Sequence, residues 1–595
     1  MDREQMLEEL SEFYEGYLAD IRNEAERMRD TGMPRLTEEL FAIFEQTGDR
    51  GAYEKVYFQR RKYLAVFGLK AILDRQPADI RRLEEIISEI CSEECWAVPA
   101  HVNRSEDREW RSYIDLFAAE TAQALSEIVS VLEGEISETI RARVKEEVSR
   151  RVFMPFVKSV PPYSSWEYGT SNWCAVCGGA AGSAAMYLLE KDSEIQKRIL
   201  ERICHSLTEY YLKGFAEDGT CMEGLGYFTY GMTYFTGFAD QLLRFSSGRM
   251  DLFRNRKLES IAAFQAKCYF PSGNTVSFSD GFRRDTFRAG LACYLAMKFP
   301  RAGIPPVARA SGLNDDPNYR WMALYQTLIW TKQYLDRLRK GEILPPKENT
   351  ARQVILPAAQ WTICSSRSGA GMAAKGGHNG ESHNHNDVGS FLYLIGEDLL
   401  LTDLGSGEYT RDYFSDKRYE HLCCRSLGHN VPLIDGGEQL CGKEYGCSGF
   451  FADGNGRTRI RFEKAYGNPK LKSLTRTLDW DAENGTLMVE DVFELPDGLC
   501  SVRENLVTQR KPEISGNRIW IRGSRRACRI TVDIPDADIC CIPESFLNHK
   551  GIREDVFLIQ WEVTGTGEDG RARSRFMAEE CRFDESPSAE RYPSV

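Results

Sequence analysis

Gly376-Gly-His-Asn-Gly-Glu-Ser-His-Asn-His-Asn-Asp-Val-Gly389 is polar and glycine-rich, and it runs straight into Ser390-Phe-Leu-Tyr-Leu-Ile395. Composition makes the first part a turn and the second an apolar run of strand length. The chain has only eight histidines, and His378, His383 and His385 fall here, with His421 and His429 soon after. Imidazole exchanges protons near neutral pH and ligates metals. Such groups at the mouth of a rigid strand are placed for catalysis. A solvated turn before a strand is the alternative reading.

Downstream of this stretch the pattern stays β-like. Leu399–Leu401, Arg459–Phe462, Leu487–Phe493, Ile530–Ile534 and Val556–Val563 alternate or run apolar between Gly, Asp and Asn turns. Upstream, Val354–Leu356 and Trp361–Cys364 share that texture. Many strands without intervening helices predict an antiparallel β-sandwich. Before the segment Lys340–Thr350, which has the composition of a linker, the texture differs. Leu7–Arg29, Tyr53–Leu73, Trp110–Leu132, Ala175–Glu190, Ile195–Phe215, Tyr227–Phe245 and Trp321–Arg339 space their apolar residues by three and four. Helices in such number predict stacked hairpins: a bundle, a solenoid or a closed toroid. The expected layout is a helical domain over 1–345, an antiparallel β domain over 353–585 and a loose tail over 586–595.

Composition narrows the function. At 595 residues, 42% hydrophobic and 28% charged, the chain describes a globular protein of more than one domain. A net charge of −13 excludes a general nucleic-acid binder. It also requires that any anionic substrate meet a local basic patch. Met1-Asp-Arg-Glu-Gln has no signal-peptide character and no apolar run is long enough to span a membrane, so a cytoplasmic protein without membrane contact is expected. Eighteen scattered cysteines then read as thiols, and Cys174-Ala-Val-Cys177 as buried helix cysteines.

Three further stretches offer chemistry. Tyr163–Trp173 is aromatic and polar just before a helix, and Asn172-Trp173 offers an amide and a stacking platform; the alternative is a helix cap with Trp173 in the core. Glu223-Gly-Leu-Gly-Tyr227 precedes a helix on which Tyr227, Tyr230 and Tyr234 share a face. The N-terminal dipole there favours a phenolate, whereas an aromatic stripe is also ordinary core. His385, Asp403 and His429, at separate strand ends, make a candidate site for Zn²⁺ or Mn²⁺.

His-Asn-His-Asn-Asp-Val-Gly-Ser-Phe, Leu-Leu-Thr-Asp-Leu-Gly-Ser-Gly-Glu-Tyr and Gly-His-Asn-Val-Pro-Leu-Ile-Asp-Gly together resemble the C-terminal signature of the heparinase II/III-like polysaccharide lyases. The Asn172-Trp173 and Glu223–Tyr227 stretches resemble that family's toroid motifs, so the likeness spans roughly residues 160–440. The resemblance implies an N-terminal (α/α) toroid followed by an antiparallel β-sandwich domain, with the active site in the cleft between them. It implies β-elimination in an anionic uronic-acid polysaccharide such as a glycosaminoglycan. Asn172 would neutralise the substrate carboxylate, Tyr227 would act as acid or as both acid and base, and His383 would be the alternative base or a carboxylate partner. Trp173, Tyr230, Glu223, Arg425 and Tyr409 are the expected substrate contacts, with Arg418 and Arg425 supplying positive charge. His385, Asp403 and His429 match the family's metal positions, the metal being mainly structural. A homo-oligomer is compatible with this reading. An alginate or oligo-uronide lyase of the same fold is an alternative, as is a toroid glycoside hydrolase built on two of Glu223, Asp218 and Asp387.

Overall fold

The computed structural model describes residues 2–105, 109–346, 353–495, 501–534, 537–563 and 571–585. Helices fill the first part, from Arg3–Met28 to Trp321–Lys340, and the first strand is Gln353–Leu356. Before it, β pairing includes the isolated bridges Tyr269–Thr275 and Phe287–Ala310. No helix is long and apolar enough to cross a membrane. The seventeen described cysteines, Cys174 and Cys177 included, are all free thiols.

The two compact units do not meet at a single point in the chain. One comprises 1–215, 227–263 and 286–348; the other comprises 216–226, 264–285 and 349–595. The expected division at 345/353 therefore needs correction, because two segments of the helical half belong with the strands. Periodicity missed them because both are mostly irregular chain with little repeating pattern. The expected linker falls partly, and the 586–595 tail wholly, outside the described residues.

In the helical unit, hairpin geometry follows from side-chain packing. Helix Asn172–Leu188 and its successor Glu194–Glu209 are antiparallel: Cys174 faces Ser206, while Gln196 reaches back to the Ala185 carbonyl. Helices Asn172–Leu188 and Leu225–Phe245 are parallel. A Cβ on Gly179 would lie 2.7 Å from the Tyr234 carbonyl oxygen, and one on Gly182 would lie 2.5 Å from the Phe238 ring, so only glycine admits this approach. Helix Leu116–Val131 runs the same way, since the His101 ring packs against both Phe117 and Trp173 near their helix starts and Tyr187 bonds Glu127 toward the far ends. Parallel helices joined through antiparallel returns are the arrangement of an (α/α) toroid. Their shared face buries Tyr234, Phe235 and Phe238 completely, each worth about 1.5–3 kcal/mol.

The other unit is built from antiparallel sheets. A five-stranded sheet contains Trp361–Ser365, Ala370–Lys375 and Phe391–Ile395. An eight-stranded sheet runs in the order Glu513–Ser515, Arg518–Arg522, Ala527–Val532, Arg571–Cys581, Thr486–Glu494, Ser473–Asp481, Arg457–Arg461, Gly449–Ala452. Strict alternation along Ser473–Asp481 turns Leu474, Leu478 and Trp480 inward, where they join Met372, Phe391 and Tyr393 in one core. That shared core makes the two sheets a sandwich.

Candidate catalytic residues and metal site

In the helical unit, Asn172 is the first residue of its helix and is 5% exposed. Tyr227 lies in the first turn of the helix Leu225–Phe245 and is half-buried. Because the two helices are parallel and meet at Gly179–Tyr234 and Gly182–Phe238, counting back two turns along each leads to Asn172 and Tyr227, which therefore share one end of the pair. Trp173, beside them, is half-buried and packs edge-on to His101 at 4.8 Å. His101 in turn bonds Asp115 at 2.8 Å.

Tyr230, one turn beyond Tyr227, is committed elsewhere. Its hydroxyl donates to Glu120 Oε1 at 2.6 Å, and the Arg320 guanidinium lies 4.1 Å above its ring. Burial and the adjacent Glu120 push the Tyr230 hydroxyl well above its ordinary range. A phenolate base at Tyr230 is therefore disfavoured, and its hydroxyl serves as a partner for Glu120. Burial raises Glu120 to about 7, against the pull of Arg320.

In the β-rich unit, the turn Gly376–Gly389 sets His383 in the left-handed region at φ 55°, a conformation that histidine adopts more readily than bulkier side chains. Its Nδ1 lies 2.8 Å from Asp280 Oδ2. Asp280 is the hub of this site and was not singled out from the sequence. Its Oδ1 accepts from Tyr413 at 2.5 Å, Arg418 at 2.9 Å and His385 Nε2 at 3.1 Å, and its Oδ2 also accepts from Tyr409 at 3.1 Å. Burial works against its charge, but the bonds from His383 and His385 and the Arg418 cation hold it well below the carboxylate range. The sequence cue was Ser277-Phe278-Ser279-Asp280-Gly281, a polar stretch interrupting the helical half, where Ser279 also takes a positive φ of 61°.

The other expected contacts divide. Tyr409 stacks edge-on with Phe414 and His549, at 4.8 and 4.4 Å, beside the His383 hub. Glu223 accepts from Ser382, the neighbour of His383, at 3.1 Å. The Arg425 guanidinium pairs with Glu438, and that of Arg418 with Asp280. The carboxylates available for a hydrolase pair are also engaged. Asp387 is fully buried against Lys375 at 2.7 Å, and Asp218 accepts from the Ala358 and Thr220 amides.

His385, Asp403 and His429 converge, with one ligand atom from each lying within 4.8 Å of the others, all fully buried. His429 Nε2 lies 3.0 Å from the Cys423 carbonyl, which can only accept, so that nitrogen carries the proton. Its Nδ1 then points a lone pair at Asp403 Oδ2, 3.1 Å away. A second proton on Nδ1 or a cation held between the two would satisfy both groups. His385 repeats the pattern: Nε2 meets Asp280, while Nδ1 is buried without a hydrogen bond. Both rings are thus oriented by an outer partner on Nε2, as metal-binding histidines are. A competing set, Asp280, His385 and Cys424, also lies within 4.8 Å. It is the poorer cage, because the Asp280 oxygens already accept five hydrogen bonds, one of them from the Arg418 cation.

No protein-family model matches the chain, and no curated protein matches it. Solved structures share its fold. The heparan sulfate lyase HepC from Pedobacter heparinus is 12% identical with a TM-score of 0.58, over 90% of this chain and 78% of that one. A heparinase III structure is 13% identical with a TM-score of 0.60, over 96% and 91%. The chondroitin AC lyase of Streptomyces coelicolor A3, solved with chondroitin sulphate, is 10% identical with a TM-score of 0.54, over 98% and 80%. The likeness establishes the fold, a helical toroid followed in sequence by a β-sandwich.

Proposed function

We propose that this chain is a polysaccharide lyase that cleaves uronic-acid-containing glycosaminoglycans by β-elimination. The reaction has three requirements: neutralising the C6 carboxylate so that the C5 proton becomes acidic, removing that proton, and protonating the departing O4. Asn172 meets the first as a hydrogen-bond donor to the carboxylate. Tyr227 gives the proton to O4 and, for one C5 configuration, also takes the C5 proton. His383, anchored through Nδ1 to Asp280, presents Nε2 as base for the other configuration. The observation that carries this reading is the shared end of the two parallel helices, where a buried amide and a half-buried tyrosine begin their helices while Tyr230 is spent on Glu120.

We assign a divalent ion, Zn²⁺ or Mn²⁺, to His385, Asp403 and His429, on the strength of three buried ligand atoms within 4.8 Å of one another. When bound, it supplies charge compensation and a cross-link between the turn that carries His383 and the two later segments. Proton transfer is left to the side chains. The engaged state of Asp387 and Asp218 speaks against the hydrolase alternative.

Purified protein incubated with hyaluronan, chondroitin sulfates, heparan sulfate or alginate should generate near-ultraviolet absorbance from the unsaturated uronate product. New reducing ends without that absorbance would establish a hydrolase instead.

A further inference from the structure

The eight-stranded sheet of the β-rich unit turns its outer face to solvent, and that face is basic although the chain as a whole carries −13. On the strand Arg571–Cys581, every second residue of the first five, Arg571, Arg573 and Arg575, is exposed. Three strands away, Arg457, Arg459 and Arg461 are exposed in the same alternation. The ladder fixes their common face. Arg461 lies opposite Thr475, Thr475 opposite Val492, and Val492 opposite Arg573. The neighbouring row runs Arg459, Thr477, Glu490, Arg575. Directly opposed residues point to the same side, so the arginines form two rails. Strand spacing sets the rails roughly 14 Å apart, and arginines within a rail are roughly 7 Å apart.

Arg571 and Arg573 have partners, and the remaining charges are only partly answered. Asp479 pairs with Arg457, Glu463 with Arg461 at 3.3 Å, and Glu490 and Glu494 lie on the floor. Arg459 has no carboxylate partner among the described residues, and Arg575 lies along the Met488 sulfur at 3.3 Å. The floor between the rails is otherwise neutral, with Ser473, Thr475, Thr477, Met488 and Val492 half-exposed. At the rim, Phe451 stands opposite Arg459 and is 57% exposed.

We propose that this outer face is a second binding site for an extended anionic polysaccharide, separate from the catalytic residues. Guanidinium rails match sulfate and carboxylate groups repeated along a chain. Threonine and serine hydroxyls match sugar hydroxyls, and an exposed phenyl ring offers a stacking surface for a sugar face. The identity of the occupant rests on the proposed lyase function, since the polymer bound here would be the one cleaved. The site holds a long chain to the enzyme between cuts.

The test compares three full-length proteins: wild type, the triple variant Arg459→Gln/Arg573→Gln/Arg575→Gln, and a control triple Arg27→Gln/Arg254→Gln/Arg301→Gln. The control arginines are 70%, 81% and 77% exposed and lie in the helical unit. Both triples remove the same charge from exposed positions, so folding should be retained. Binding is read by fluorescence anisotropy with labelled heparin at fixed salt. The rail triple should weaken binding by on the order of tenfold and the control by less than twofold. On a cleavable polymer, kcat/KM should fall several-fold in the rail triple and stay unchanged on a tetrasaccharide. Equal losses in both triples overturn the site in favour of net charge. So do a wild type that fails to bind heparin, and one that binds single-stranded oligothymidylate as tightly. Absence of unsaturated product in wild type counts against the lyase reading alone, because the anisotropy measurement is independent of turnover.

Discussion

Tyr227 and Tyr230 differ by one helical turn and by what their hydroxyls touch. Tyr227 is half-buried in the first turn of its helix, while Tyr230 donates to Glu120. Removing each oxygen should therefore affect different quantities. Tyr227→Phe keeps the ring, and kcat on a glycosaminoglycan should fall by about 10²-fold or more with little change in stability. Tyr230→Phe removes the 2.6 Å bond to Glu120 and should cost about 1–3 kcal/mol in denaturant unfolding, with kcat affected far less. The reverse pattern would move the proton-transfer role to Tyr230. The same logic gives Asp280 its importance: five donors converge on one carboxylate, so the orientation of His383 depends on a residue more than a hundred positions away in sequence.

At the scale of elements, the parallel helices meet through a titrating pair. Glu120 on Leu116–Val131 has its pKa raised to about 7 by burial, from an ordinary carboxyl value of 4.5. The folded state thus holds a proton that the unfolded state has already released. The corresponding stability is fully present below pH 4.5 and is lost as pH rises through about 7. Glu120→Gln cannot titrate but keeps an acceptor for Tyr230. Between pH 5 and 8 the Tm of wild type should fall relative to this variant, as followed by circular dichroism. A difference that stays flat across that window would show that Glu120 ionises normally in the folded protein.

At the scale of the molecule, the metal assignment concerns one compact unit. Elemental analysis should find about one divalent ion per chain, lost in His429→Ala. Chelation should lower the Tm, because an ion held only by the folded state stabilises it. Hydrogen exchange should then increase in segments around 376–434, which carry the ligands, and remain unchanged in the helices Asn172–Leu188 and Leu225–Phe245. Retention of the ion by His429→Ala would remove that residue from the ligand set.

The sequence by itself determined the order of the architecture and most of the chemical inventory. Spacing of three and four before residue 340 and alternation after 353 are local properties, written wherever a helix or strand must bury one face, so helices and strands were legible. His383, His385, Asp403 and His429 stood out as candidates because histidine is scarce in this chain and the four cluster near strand ends. Only the tertiary structure decided what each of these groups faces. Asp280 reaches His383 across about a hundred residues, Glu120 captures Tyr230 across about as many, and Glu438 takes the charge of Arg425. Segments 216–226 and 264–285 join the β-rich unit although they lie in the helical half. The two arginine rails exist only through the register of four strands. Such pairings are set by burial and by the demand that buried charge find a partner, and neither is encoded in the spacing of neighbours along the chain.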